Sequence, residues 1–289
     1  FRVAEASVGY GGKAVVSDIE WSVYFGEAIG LLGPNGAGKS TLMRTIATLQ
    51  PADAGSIRFG DIDVLREPAR VRERLGYLPQ DFGLYPTLSA LATLDHFTAL
   101  KGVADAGERK ALVEALLQQV NLWEHRKKAV GGFSGGMRQR LGIAIALAGK
   151  PQLLIVDEPT AGLDPTERNR FLNLLGEIGD EVVIILSTHI VDDVRELCRH
   201  MAIINKGRVV LSGDPEAVIT SLHGRLWRRS VHKADLAAVR VAHTVISERL
   251  VGGMPVVHAV ADASPGEDWI AVPPDLEDVY FHTVGADAA

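Results

Sequence analysis

Lys39 and Ser40 stand near the end of Gly33-Pro34-Asn35-Gly36-Ala37-Gly38-Lys39-Ser40-Thr41, which fits the pattern G-x-x-x-x-G-K-[ST]. Such a loop wraps its backbone N–H groups around the phosphates of a nucleotide. The lysine reaches the β/γ-phosphates and the serine hydroxyl holds Mg²⁺. Gly36 and Gly38 allow torsions that a β-carbon forbids and let the chain come close to the phosphates. Asp157 and Glu158 form a second set, closing the apolar run Gln152-Leu153-Leu154-Ile155-Val156. After a phosphate loop, the first acid is the expected Mg²⁺ partner of Ser40, through water. The second is free to orient or deprotonate an attacking water. His189 ends a third stretch, Ser187-Thr188-His189. Taken singly, two acids at a strand end more often open a solvated loop, and a lone histidine is more often structural than catalytic.

The elements around these residues favour the chemical reading. Ala28-Ile29-Gly30-Leu31-Leu32 reads as a buried strand, and Leu42, Ile46 and Leu49 recur as a helical face that ends near Pro51. The glycines therefore sit where a strand turns into a helix N-terminus, whose free N–H groups and dipole favour an anion. The run before Asp157 predicts a central parallel strand with its acids at the carboxyl edge, where ligands of open α/β sheets bind. Asp164-Pro165-Thr166-Glu167 opens a helix whose face is Phe171, Leu174, Leu175 and Ile178, and Gly179 closes it. Glu181–Leu186 is a further buried strand leading to His189. One helix thus joins the strands of Asp157 and His189. Such βαβ strands are often neighbours with their loops on one side.

Elsewhere the pattern is simpler. Residues Phe1 to about Phe59 look β-rich, with Ile19, Trp21, Val23 and Phe25 alternating with Glu20, Ser22 and Tyr24. Tyr10 lies in Gly9-Tyr10-Gly11-Gly12, where an aromatic face could stack on a base. Arg72–Leu78 reads as a short strand delivering Pro79-Gln80 to a loop, Asp81–Pro86. Thr87–Gly149 reads as a helical insertion, with Ser134 as N-cap of a helix over Met137–Ala148. Met201–Asn205 and Arg208–Leu211 flank Lys206-Gly207 as a hairpin, and Asp214-Pro215-Glu216 starts another helix. Beyond Leu222 the pattern suggests a small appended βαβ-like or incomplete βαβ unit. Leu276–Phe281 predicts a terminal helix with Leu276, Val279 and Tyr280 inward, a C-terminal staple.

With 289 residues, 47% of them hydrophobic, the chain suits one large domain or a main domain with an appendage. The net charge of −6 supplies no basic stripe, so nucleic acid is not the expected partner. Cys198, the only cysteine, shares helical spacing with Ile190, Val194 and Leu197 and reads as a core residue suited to a reducing compartment. No apolar run approaches the ~18 residues of a membrane helix. There is no signal-peptide layout, and the start at Phe1 rather than Met suggests a trimmed chain. Any membrane role is expected to come through a partner.

The order of these pieces resembles the nucleotide-binding subunit of ATP-binding cassette (ABC) transporters, over roughly Phe1 to Leu222. The resemblance implies an α/β fold: a P-loop NTPase parallel sheet core with an antiparallel β subdomain, a helical signature subdomain at about 87–149 and a small C-terminal appendage at 223–289. It implies that Tyr10 stacks on adenine, that Gln80 touches Mg²⁺ and senses the membrane partner, and that Glu158 is the catalytic carboxylate. Phe133-Ser134-Gly135-Gly136-Met137 is similar to the family signature Leu-Ser-Gly-Gly-Gln, with Phe and Met at two tolerant positions. Ala161-Gly162-Leu163-Asp164 resembles the loop at the dimer seam, and His189 the switch histidine at the γ-phosphate. ATP is then sandwiched between Gly33–Thr41 of one copy and Ser134–Gly136 of another. A second nucleotide-binding subunit, with a homodimer expected, and an integral-membrane permease at the cytoplasmic face of the cell membrane are the implied partners.

Within the family, the appendage and Leu276-Glu277-Asp278-Val279-Tyr280-Phe281 look like exporter ATPases, so export is expected over import. Phe82, Leu84 and Tyr85 beside Gln80 are expected to be exposed where a permease helix docks; the alternative is that they pack on the helical arm. The rivals are weaker. Repair-type ABC ATPases split their halves with a long coiled coil, whereas roughly a hundred residues separate Lys39 from Ser134 without sustained heptads. Translation-type members carry two cassettes, and no second phosphate loop occurs here. A nucleotide kinase has no use for Ser134–Gly136 or His189. A catalytically dead cassette would show changes at Lys39, Asp157 or Glu158.

Overall fold

The computed structural model describes residues 1–10, 13–179 and 182–286, with side chains at all of these but Tyr10, Lys13, Ala14 and Asp18. The chain opens with strands β1 (Arg2–Tyr10), β2 (Lys13–Ser22) and β3 (Ala28–Leu32), then helix α1 (Lys39–Ile46). Next come β4 (Ala54–Phe59), β5 (Ile62–Asp63), α2 (Pro68–Arg72) and β6 (Leu75–Leu78). The expected strand at Arg72–Leu78 is thus shorter. Pro68 sets the first turn of a helix that takes in Arg72, and the Arg72 guanidinium holds the Thr48 carbonyl at 3.0 Å. Helices α3 (Ala90–Leu100), α4 (Ala106–Gln119) and α5 (Gly135–Leu147) make the helical arm.

The second half runs β7 (Leu153–Asp157), α6 (Pro165–Gly179), β8 (Val183–Thr188), α7 (Val191–Leu197), β9 (His200–Asn205), β10 (Arg208–Gly213) and α8 (Pro215–Thr220). It ends with β11 (Leu226–Ser230), α9 (Leu236–Ala242), β12 (Val245–Val251), β13 (Met254–Val260), β14 (Ile270–Ala271) and α10 (Leu276–Ala286).

A six-stranded sheet, order β10-β9-β3-β8-β7-β6, is parallel except for the antiparallel edge strand β10. Its inner strands are apolar because both faces are covered. Alternation divides each strand between two cores. Ile29, Leu31, Leu153 and Ile155 face α1 and the antiparallel sheet β2-β1-β4-β5. Leu32, Leu154, Val156 and Leu186 face the other way, into the core shared with α5, α6 and α7. Burying each such side chain contributes about 1.5–3 kcal/mol, so a one-residue slip would cost the whole face and the register is fixed. That register sets the chemistry: Leu32 pairs with Thr188 and Asp157 with Ser187, so the loops after β3, β8 and β7 leave the same sheet edge side by side.

The region after Leu222 has its own sheet, β12-β13-β11-β14, around Val231, Val239, Val257, Ala259 and Trp269. β11 and β12 are both antiparallel to β13 and therefore parallel to each other, with α9 as the crossover. The βαβ pattern is present, but with β13 inserted between its strands. Helix α10 returns to the main core through Leu276 and Val279, with Tyr280 partly buried beside them. Its start is held reciprocally: the Asp278 N–H donates to Asp275 Oδ1 at 2.8 Å and the Asp275 N–H to Asp278 Oδ2 at 3.1 Å. Cys198 is buried in the main core, and burial pushes its thiol pKa up.

Candidate active site

The turn from β3 into α1 adopts left-handed backbone at Gly36 (φ 79°) and Gly38 (φ 105°). A β-carbon at Gly38 would also lie 2.7 Å from Val16 Cγ2, so the position excludes a side chain twice over. Gly38 caps α1 without any side-chain hydrogen bond. Residues 35–41, with Val15, Gln80, Glu158 and His189, line a cleft of about 440 Å³. All but Val15 are residues singled out by sequence. The Lys39 ammonium is buried, donating to the carbonyls of Gly33 at 2.7 Å and Pro34 at 3.3 Å. It also lies 3.3 Å from Glu158 Oε1.

Glu158 Oε2 contacts His189 Nδ1. The carboxylate is therefore held from both ends, by an ammonium and by an imidazole that stays half exposed to the cleft. Glu158 has φ 49°, a left-handed conformation that costs a non-glycine residue about 1–3 kcal/mol. Its N–H donates to the Ser187 carbonyl at 2.8 Å, anchoring the strained turn to β8. Asp157, one residue earlier, is buried and accepts from Ser187 Oγ at 2.8 Å. Burial pushes its pKa above the ordinary value, against the opposing hydrogen bonds from Ser187 and Ser40. Ser40, Asp157 and Gln80 supply only oxygen donors and no cluster of acids. Among the described residues no group of three or more His, Cys, Asp and Glu could hold a metal ion. That donor set suits a small hard cation that shares its shell with substrate phosphates.

Ser134, Gly135 and Gly136 lie elsewhere, at the start of α5, and none of them lines the cleft. Ser134 caps the helix, its Oγ accepting from the Met137 N–H at 3.2 Å. Gly136 is buried against Glu167, where a β-carbon would come within 2.2 Å of Oε2. Phe133, at the Leu position of the signature, is buried in the main core, and Met137 packs on the same core. Asp164 caps α6 by accepting from the Glu167 N–H at 3.0 Å. The Tyr10 side chain lies outside the described residues.

Two expectations near Gln80 need correction. Phe82 and Leu84 are not exposed: both pack on the main core, and a β-carbon on Gly142 of α5 would meet Phe82 Cζ at 2.7 Å. Tyr85 alone of the three stays exposed, at 66%. The missing β-carbon at Gly142 opened the space, a signal readable only with the arm folded back on β6. Sequence reasoning also missed a buried side-chain network behind the cleft. Asp193 accepts hydrogen bonds from Thr160 and Thr188 and pairs with Arg168. Its one sequence signal was an acid a helical turn beyond His189.

Comparison with known proteins agrees with this geometry. Residues 16–161 match the family described as ABC transporter. The chain is 38% identical over 240 residues to the linearmycin resistance ATP-binding protein LnrL of Bacillus subtilis (strain 168), covering 81% of this chain and 77% of that protein. It is 34% identical over 288 residues to the Nod factor export ATP-binding protein I of Burkholderia orbicola (strain AU 1054), covering 96% of this chain and 94% of that one. Among solved structures, cbiO1 from Clostridium perfringens, part of the ABC transporter complex cbiONQ, superposes with a TM-score of 0.70 at 30% identity over 76% of this chain and 90% of its own. No helix among the described residues is long and apolar enough to cross a membrane. The phosphate-loop cleft and its carboxylate edge are those of an ATPase, and the chain belongs to the ABC transporter family as an ATP-binding, ATP-hydrolysing subunit.

Proposed function

We propose that two copies of this chain close head to tail around ATP and drive an export permease. One observation carries the reading: Lys39, Ser40, Glu158 and His189 share one cleft, while Ser134 and Gly135 stand exposed on a helix start outside it. That helix start offers its N–H groups to an anion held by another molecule. Within the cleft, the loop N–H groups and Lys39 take the triphosphate. Ser40, Asp157 and Gln80 would hold Mg²⁺, which would neutralise charge on the phosphates. Glu158, fixed by Lys39 and His189, accepts a proton from or orients the attacking water, and His189 contacts the γ-phosphate. Tyr10 stacks on adenine, and Asp164 stands at the dimer seam. Loss of the γ-phosphate removes the bridge between copies, so the dimer loosens.

Residues 1–222 form the nucleotide-binding domain in this reading and 223–289 an accessory region. The match to the Nod factor export protein continues through that region, covering 96% of the chain, and this supports export. The permease, reached through the loop that presents Tyr85, holds the subunit at the cytoplasmic membrane face. Light scattering of Glu158→Gln with Mg·ATP tests the dimer: the mass should double, and a monomer at saturating nucleotide would overturn the reading. For direction, ATP should drive solute into inside-out vesicles bearing the assembled complex. Uptake into right-side-out vesicles instead would make it an importer.

A further inference from the structure

Asp193 is wholly buried, in the first turn of α7. A carboxylate withdrawn from water is tolerable only when its oxygens are met by donors. Here they are met from three places. Thr160 Oγ1 donates to Oδ2, Thr188 Oγ1 donates to the same oxygen at 3.0 Å, and Arg168 Nε donates to Oδ1 at 2.6 Å. Thr188 also accepts from the Ile190 N–H at 3.0 Å, so its hydroxyl is fixed on both sides.

The identity of the two threonines gives the cluster its meaning. Thr160 follows Glu158 by two residues, and Thr188 immediately precedes His189. Two of the three loops that leave this sheet edge, those carrying Glu158 and His189, are therefore tied to one oxygen of one residue. Neither Asp193 nor the threonines line the cleft, so they reach the chemistry only through what they hold. The load is real: Glu158 sits in left-handed backbone, and its contact with His189 requires the two loops to stay in step. Arg168 on α6 compensates the charge and passes its outer end to Glu196 at 3.2 Å. A buried ion pair by itself is weak grounds for stability. A buried carboxylate bridging two loops is good grounds for geometry.

We propose that Asp193 is a positioning residue for ATP hydrolysis, fixing Glu158 against His189 by tethering Thr160 and Thr188 to a common point. The inference rests on the roles given above to Glu158 and His189. Thr160→Val with Thr188→Val removes both tethers from the full chain while keeping the Arg168–Asp193 pair. With Mg·ATP, kcat should fall about 10–100-fold while KM changes by less than about threefold. Thr160→Ser with Thr188→Ser, which keeps both hydroxyls, should stay within about twofold of the parent. Should the double valine variant fail to fold, Thr188→Val alone should lower kcat about 3–10-fold. Glu196→Gln, at the outer end of Arg168, should leave turnover unchanged.

A purely structural role would cost as much whether or not Glu158 is active, whereas a positioning role would not. In single-turnover assays on the Glu158→Gln background, the valine pair should cost less than about threefold further, because the group it positions is already disabled. An equal loss in both backgrounds would overturn the proposal. So would a folded valine variant with kcat within twofold, or a Glu196→Gln loss as large as that of the valine pair. Full turnover in Glu158→Gln alone would overturn the assignment of Glu158, and this inference with it.

Discussion

Two helix starts in this molecule are rich in glycine, and they are built differently. α1 begins at Gly38, in left-handed backbone with no side-chain cap, and its first residue is the buried Lys39. α5 begins at Ser134, in extended backbone, with one helix N–H already taken by the serine hydroxyl. The glycines differ too. Gly38 is required by its torsion, with Val16 close against it, whereas Gly136 has no left-handed torsion and only the Glu167 side chain stands against it. So α1 leaves its donors uncommitted and sets a cation beside them, a site organised around a ligand. α5 is held at its start by its own serine cap, so its folding needs no anion, while Ser134 and Gly135 stay exposed on its outer surface.

The comparison can be broken or sharpened by substitution. The largest effect belongs to the cleft: Glu158→Gln should retain nucleotide binding and lower turnover by about 10²–10⁴-fold, measured as phosphate release. Gly38→Ala should come next. A side chain forced into that backbone, against Val16, should weaken ATP binding at least about tenfold in a titration with a fluorescent analogue. At the other helix, Ser134→Ala should leave the monomer's own nucleotide affinity unchanged and cost about 1 kcal/mol of stability, read as a small fall in Tm. If Ser134→Ala instead weakened binding to the monomer as much as Gly38→Ala, the contrast between the two helix starts would fail.

The smallest effect lies outside the cleft, at the start of α10. Burial of Asp278 pushes its pKa up, but the His258 ring and the Asp275 N–H outweigh this and leave it below the ordinary value. A carboxylate lowered in the folded state adds stability above its unfolded pKa and loses it as pH falls through the folded one. The Tm should therefore drop below about pH 4, with a shallower slope in Asp278→Asn and no matching change in ATP affinity.

Much of the site was legible because its parts are local. A phosphate loop needs its residue types at fixed spacing between one strand and one helix, and Gly33–Thr41 shows all of them. The all-apolar runs of β7 and β8 likewise announced strands covered on both faces. Phe82 and Leu84 were not legible in this way. An apolar residue in a loop reads the same whether it faces solvent or fills the space left by a glycine on another helix. Asp193 failed for the same reason, since its donors lie 33, 25 and 5 residues away along the chain.

By itself the sequence determined the chemistry at each position: which residue could bind phosphate, which could take a proton, where strands would turn to helices. These follow from side-chain type and from periods of a few residues. Tertiary structure alone decided how the pieces face one another. The register Leu32 with Thr188 and Asp157 with Ser187 brings three loops to one edge, and Asp193 ties two of them together. Register and buried ties depend on the packing of whole faces, and no short stretch of chain encodes that.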